Sequence, residues 1–569
     1  MSTPTATAGP GRAPGSADPR RWVALAVVLI AGFMQLVDIS IVNVAIPSIQ
    51  RDLDATYADI QWVLAGYQLA FAVMLITGGR LGDIYGRKRL FMIGMAGFTL
   101  ASALCGLAQT PDMLIASRVL QGLMGAIMFP QILSVIQVTF PPQERATAFG
   151  LFGATIGLAT ITGPLVGGLL IAADLLGLEW RPIFLVNLPI GIAALAVAAR
   201  FLVESKAPRA LRLDPVGVVV VTAGLLLLVY PLVQGRDLGW PPWTFLSMAA
   251  AVPVLAGFAV YERHKKALDG SPLVDLDLFR QRSFVPGLLL AGIFFMGIPA
   301  FFLTFSLWLQ IGLGFSALHA GLTGAPFAVG SALASAASVR LVPTLGRRIL
   351  SAGSLLLVAG MVALMWTVGR YDGDVNSWQL LPALLLCGLG LGSVVAPLVN
   401  VVLAGIKAQD AGSASGVLTT VQQIGGAVGV AVIGVVFFGL LGSQAAGVAD
   451  DVLPGLRADL QGAGLPPAAT QQVAAGFRTC FEDRANAKDP SAVPASCAQA
   501  QSQAQAQAQD RVGRVVAATA DAARRQSFSE AFQRTLLFEV AVFLACFLLV
   551  FLLPDARGDA AGQHPGAAA

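Results

Sequence analysis

Long apolar runs alternate with short polar ones along almost the whole chain. A helix that crosses a bilayer needs roughly 20 apolar residues, and about fourteen runs come near or reach that length. They cover 22–47, 60–78, 90–108, 112–138, 146–173, 182–203, 215–234, 243–261, 284–311, 318–339, 349–368, 379–404, 414–442 and 533–553. The pattern predicts an all-α integral membrane protein. Between the second and third runs stands Gly79-Gly-Arg-Leu-Gly-Asp-Ile-Tyr-Gly-Arg-Lys-Arg89, a knot of charge and glycine that suits a tight turn between two spans. Basic residues sort by side. With the N-terminus inside, the inner segments hold Arg20, Arg21, Arg87, Lys88, Arg89, Arg263, Lys265, Lys266, Arg347 and Arg348 among others. The short outer loops hold only Arg51, Arg181, Arg236 and Arg370. This asymmetry predicts that both termini are cytoplasmic.

A faint internal repeat sharpens the architecture. Gly346-Arg-Arg348, between runs ten and eleven, is a worn copy of Gly86-Arg-Lys-Arg89, and Pro130–Gly150 parallels Pro397–Gly416. Two six-helix halves with two helices inserted between them account for both offsets. The expected divisions are a tail 1–20, a first bundle 21–203, inserted helices 204–262 and five helices of a second bundle 263–442. An outer loop 443–532, a last helix 533–554 and an inner tail 555–569 follow. The outer loop contains the alanine–glutamine run Ala498–Gln509 and is expected to be a partly helical cap without a transport role. Its Cys480 and Cys497 face an oxidising compartment, where a disulfide and two free thiols are both open outcomes.

Composition agrees. The chain has 569 residues, 56% hydrophobic and only 12% charged, with a mean hydropathy of +0.74, whereas soluble domains carry about 25% charge. The net charge of +4 is too modest to indicate nucleic acid. The five cysteines show no metal spacing, and His264, His319 and His564 fall in separate regions, so no metal site is expected. That scatter also argues against a membrane enzyme, which would need paired acids or histidines to hold a metal. No phosphate-binding loop ending in Gly-Lys-Ser/Thr is present, so neither ATP nor another cofactor is expected.

A few polar groups inside the spans carry the chemistry. Run one reads Gln35-Leu-Val-Asp38-Ile-Ser-Ile-Val-Asn43-Val-Ala-Ile-Pro47. An ionisable side chain at mid-span costs at least a few kcal/mol, and a carboxyl escapes that cost by binding a proton. Run four places Arg118, Gln121, Gly122, Gly125 and Phe129 at helical spacing. Arginine keeps its charge, so Arg118 must meet a polar cavity or a partner. Run five carries a stripe of Gly153, Gly157, Pro164, Gly167 and Gly168 with Gly163 beside it, suited to close helix packing and a kink. Run thirteen has a polar, uncharged face with Gln422 and Gln423, and runs nine and ten are rich in aromatics such as Phe305 and Trp308. Glu539 in the last run reads as a second titrating site or, preferred here, as a snorkelling or accessory residue.

These motifs, in this order, resemble the major facilitator superfamily and within it the fourteen-span drug/proton antiporters. Gly79, Leu81, Asp83, Gly86, Arg87 and Arg89 look like that superfamily's loop between the second and third helices. Asp38 to Pro47 resembles the antiporters' first-helix signature, with Ile46 in place of a leucine. Arg118 to Gly125 is similar to the fourth-helix motif linked to proton transfer, and Gly153 to Gly168 to the motif that marks exporters. Trp180 to Gly191, Pro272 to Phe279 and Gly412 to Gly416 resemble further family marks, with Pro182 where an aromatic is usual. The resemblance implies proton-coupled export of amphipathic, cationic or aromatic drugs from a bacterial cytoplasmic membrane by a monomer, with one endogenous metabolite as the alternative cargo. It assigns proton coupling to Asp38 and Arg118. Gln35, Asn43, Gln121, Phe129, Phe305, Trp308, Gln422 and Gln423 become substrate-facing candidates. The absence of acids on run thirteen implies poor handling of divalent cations. Asp83 and Arg87, with Arg80 as an extra partner, would bond to helix ends across the two halves.

Overall fold

The computed structural model describes residues 20–206, 212–371, 373–403, 411–486, 494–497 and 510–553. Among these, thirteen helices are long and apolar enough to cross a membrane. The first half comprises α1 (Arg20–Leu53), α2 (Tyr57–Tyr85), α3 (Arg87–Gly106), α4 (Pro111–Thr139), α5 (Pro142–Ala173) and α6 (Pro182–Phe201). Of α5, only Thr162–Ala173 is a described apolar stretch, and the sequence of the whole helix makes it the fourteenth span. The inserted helices are α7 (Pro215–Leu238) and α8 (Pro242–Asp269). The second half has α9 (Phe284–Leu307, extended by a wider turn Trp308–Gly312), α10 (Ala317–Leu345), α11 (Arg348–Tyr371), α12 (Ser377–Leu403) and α13 (Ala411–Gly462). It ends with α14 (Pro467–Asn486) and α15 (Asp510–Val550).

Local chemistry sets the breaks. Thr56 and Asp59 form a reciprocal cap at the start of α2, with Asp59 N donating to Thr56 Oγ1 at 3.2 Å and Thr56 N to Asp59 Oδ2 at 2.8 Å. Thr110 caps α4 just ahead of Pro111, whose missing N–H is one the helix would leave unpaired anyway. Between α2 and α3 the chain turns on Gly86 at φ +117°, and between α10 and α11 on Gly346 at φ +53°. Both angles favour a residue without Cβ, which explains why glycine persists in both copies of the repeat.

Packing repeats as well. In the first half α1 lies on α5, both α2 and α3 lie on α4, and α6 covers α3 and α1. In the second, α9 lies on α13, both α10 and α11 lie on α12, and α15 covers α11 and α9. The inserted α7 packs on α8 and against the edge where α2 meets α13, through Leu225, Val229 and Val233 beside Leu69 and Ala431.

The halves join at the end of the bundle remote from Arg20. Ser306 Oγ donates to Asn43 O at 2.6 Å and Gln310 Nε2 to Val44 O at 3.0 Å, tying α9 to α1. Gln61 Nε2 donates to Val430 O at 3.1 Å, tying α2 to α13. Between α5 and α10 the backbones touch: a Cβ on Gly168 would stand 2.9 Å from Ala317 O, and one on Gly321 2.6 Å from Pro164 O.

The outer segment is a helical cap, and it continues directly from a span. Helix α13 runs 52 residues without interruption, about 78 Å at 1.5 Å per residue, so it extends far past a bilayer. Its outer part, α14 and the start of α15 form a three-helix cap with its own core of Leu453, Leu456, Leu460, Val473, Phe477 and Val512. No strong breaker lies between 443 and 453, and apolar residues at helical spacing give α13 a face to bury there, so the span simply continues. Cys480 and Cys497 are disulfide-bonded, their Cα atoms 4.5 Å apart. The alanine–glutamine run lies outside the described residues, apart from Ala498's neighbour Cys497.

Candidate functional site

Five helices of the first half converge on Asp38. Its carboxylate is wholly buried, as are Arg118 and Gln121. Arg118 Nη1 donates to Asp38 Oδ2 at 2.6 Å and to Gln121 Oε1 at 2.6 Å, and Gln121 Nε2 returns to Asp38 Oδ1 at 2.8 Å. Asp38 Oδ1 also accepts from Asn187 Nδ2 at 3.1 Å, and the same amide nitrogen reaches Ser102 Oγ at 3.0 Å. Arg118 Nε donates to Val63 O at 3.2 Å, and its guanidinium carbon lies 4.1 Å from the centre of the Tyr67 ring. The spacing Arg118 to Gln121 makes this work: three residues apart on α4, both face α1.

The arrangement is a neutral, closed ion pair in an apolar interior. Its charge-assisted bonds are strong, and each charge depends on the other because neither has water. Adding a proton to Asp38 would cancel the attraction that holds Arg118.

The other candidates separate into several places. Gln121 belongs to the acid centre. Gln35 is buried with its amide nitrogen near Gly125, and Phe129 meets Phe71 and Phe152 at ring-centre distances of 5.9 and 6.0 Å. Asn43 lies at the seam, its carbonyl held by Ser306. Phe305 and Trp308 are turned into the second half: Trp308 stacks on Phe532 at 4.6 Å and donates to Ser529 Oγ at 3.0 Å. Gln422 and Gln423 are half-buried on α13. Of the glycine stripe, Gly163 and Gly167 abut Ser40 and Ile41 of α1, while Pro164 and Gly168 abut α10. The surroundings of Gly153 and Gly157 lie outside the described residues.

Two expectations are corrected by the geometry. Asp83 and Arg87 bond to each other, Arg87 Nη2 to Asp83 Oδ1 at 2.9 Å, because an i,i+4 pair reaches locally what it was expected to find across the halves. The longer reach belongs to Arg80, whose guanidinium binds the carbonyls of Arg212 at 3.1 Å, Ser271 at 3.3 Å, Leu273 at 3.2 Å and Pro272, ahead of α9. Gly79 packs beside Pro130, and Arg89 approaches Glu204 at 3.9 Å. Glu539 does not snorkel: it is fully buried, because α15 turns it inward against α9.

Several partners were not announced as partners. Asn187 falls within the Trp180–Gly191 stretch, which marked the family and not this contact, and Ser102 is one of two hydroxyl residues in an otherwise apolar span. Asp52 takes Arg181 at 2.7 Å and Trp180 Nε1 at 3.0 Å. Glu204 accepts from the backbone of Lys88 and Arg89 at the start of α3, at 3.1 and 3.2 Å.

Two halves of matching packing, fourteen spans in all and a closed polar centre inside the first half define a multi-pass membrane carrier. The family model described as Major Facilitator Superfamily matches residues 28–430, and this chain belongs to that superfamily. It is 44% identical over 542 residues to a probable actinorhodin transporter of Streptomyces coelicolor, covering 94% of this chain and 92% of that one. It is 34% identical over 443 residues to a tetracenomycin C resistance and export protein of Streptomyces glaucescens, covering 74% and 77%. Among solved structures it resembles an inward-facing, occupied bacterial homolog of the human lysosomal transporter Spinster (TM-score 0.59, 16% identity, 97% and 100% covered), a likeness of fold.

Proposed function

We propose that this protein exports amphipathic, cationic or aromatic drugs or antibiotics across the bacterial cytoplasmic membrane in exchange for protons. It acts as a monomer, by alternating access, without a cofactor and without enzymatic chemistry. The observation that carries the reading is the Asp38–Arg118 pair. A proton taken onto Asp38 from the outer side releases Arg118, and α1 and α4 reset so that the centre turns to the inner side. Loss of that proton to the inner side restores the pair. Drug and proton thus favour opposite arrangements, and inward proton flow drives outward drug flow. The exporter relatives support the direction.

A second reading is favoured by one observation, the match along nearly the whole chain to a probable actinorhodin transporter. On that reading the cargo is one metabolite or antibiotic made by the host. Dye uptake into inside-out vesicles under an imposed pH gradient tests the first reading. The parent should accumulate dye only with the gradient, and Asp38→Asn should not. Equal transport by the variant would remove Asp38 from the mechanism. A susceptibility panel separates the readings, since protection against a single compound would mark the narrow exporter.

A further inference from the structure

Glu539 is the mirror opposite of Asp38 in its bonding. It is fully buried, and neither carboxyl oxygen has a hydrogen-bond partner among the described residues. Oε2 lies 2.8 Å from where a Cβ would stand on Gly297 of α9, with Phe543 and Val542 crowding the same point. Phe294 of α9 meets Phe543 edge-on at 5.8 Å. The titratable groups within electrostatic reach are two buried thiols, Cys387 on α12 and Cys546 on α15. No cation is among them.

The position is not arbitrary. Helix α15 covers α9 and α11 as α6 covers α1 and α3. In the first half the contact between α6 and α1 is made by Asn187 reaching Asp38. In the second half the matching contact is Glu539 reaching toward Gly297. The carboxyl has moved from the first helix of the repeat to the last, and the glycine opposite leaves it room. Without an arginine beside it, an ionised carboxylate in such surroundings costs far more than a protonated one, so Glu539 holds a proton in this arrangement.

A cavity of about 440 Å³ is lined by Val368, Gly369, Ser529, Glu530, Gln533 and Arg534. Gln533 precedes Glu539 by six residues, about 9 Å along the helix. The stacked pair Trp308–Phe532 and the buried Leu536 fill the remaining distance.

We infer that Glu539 is a second proton-carrying site of the exporter, lodged in the second half at the place that corresponds to the Asp38 centre. The inference rests on the proton-coupled reading for its role in transport, though not for its protonation. An O–H bond forms on the Glu539 carboxylate with a proton from outer water. The same bond breaks when the second half rearranges and gives that proton to inner water.

Two measurements test it. Infrared spectra of the purified protein should contain the carbonyl stretch of a buried protonated acid, lost in Glu539→Gln and kept in Asp38→Asn. An unchanged band in Glu539→Gln overturns the proposal. Should that variant fail to fold, Glu539→Met removes the acid with similar volume and reads the same band. The second measurement is ethidium accumulation at standstill in inside-out vesicles with the membrane potential clamped at zero. Accumulation scales as the proton ratio raised to the number of protons, so losing one proton lowers it about tenfold per unit of pH gradient. This endpoint is thermodynamic, and a merely slowed transporter reaches the same value. Glu539→Gln matching the parent's accumulation overturns the coupled role. A parent with no gradient-driven uptake refutes proton-coupled export and that role with it, and the infrared band then decides protonation alone.

Discussion

Removing the cation from the acid centre should be costly in a way that identifies it as a coupled unit. In Arg118→Met, Asp38 loses its 2.6 Å bond and the countercharge that Arg118 supplies, keeping the amides of Gln121 and Asn187 at 2.8 and 3.1 Å. Gln121 Oε1 loses its own 2.6 Å donor. Breaking a buried pair from one side costs roughly 3–5 kcal/mol, because the remaining charge has no solvent. Asp38→Asn should cost at least as much, since Arg118 cannot discard its charge as Asp38 can by binding a proton, although it keeps Gln121 Oε1, Val63 O and the Tyr67 ring. Removing both charges leaves no orphaned charge, so the double variant should be more stable than the sum of the two losses predicts, by about 1–3 kcal/mol. The assay is reversible unfolding of the purified protein in mixed detergent micelles, followed by tryptophan fluorescence. Losses that add to within about 0.5 kcal/mol would refute the reasoning.

Gly86→Ala should destabilise by about 1–3 kcal/mol, since φ +117° is strained for alanine and the new Cβ would stand 2.5 Å from the Glu204 carboxylate; an unchanged thermal midpoint would contradict this. Gly168→Val should wedge α5 from α10 and abolish transport while leaving expression intact, a result read by dye uptake alongside cysteine labelling at the outer seam. Reducing Cys480–Cys497 frees a closure of sequence separation 17, for which chain entropy gives about 3 kcal/mol; hydrogen exchange should rise in α14 and stay low in α1–α6. The Lys266 ammonium, bonded to the Asp277 carboxylate at 2.5 Å, holds that exposed acid below its ordinary value of 3.8. An acid depressed by folding contributes above its unfolded value and loses that contribution as pH falls. Exchange across 271–280 should therefore rise only below about pH 4, and an onset near neutrality would exclude the Lys266 contact as its cause.

The membrane class and the set of spans were legible because each rests on local physics: span length and glycine in tight turns. Asp38 and Arg118 were also legible, since an ionised residue inside an apolar run has few reasons to be there. Their partners were not. Asn187 is 149 residues from Asp38 in the chain, and only the docking of α6 on α1 brings the amide to the carboxylate. The outer segment was expected as a partly helical cap, but not how its helices pack: its apolar face is too intermittent for a span, yet it suffices to pack three helices against one another.

What the sequence determined by itself is therefore a set of helices and a short list of polar residues that must find company. What only the tertiary structure decided is which company each finds. Arg80 rather than Asp83 reaches the segment before α9, Trp308 turns into the second half, and Glu539 faces a glycine with no hydrogen-bond partner among the described residues. The reason is physical: a helix's existence depends on neighbours a few residues away, whereas a buried polar group is satisfied or left alone by side chains that only packing brings within 3 Å.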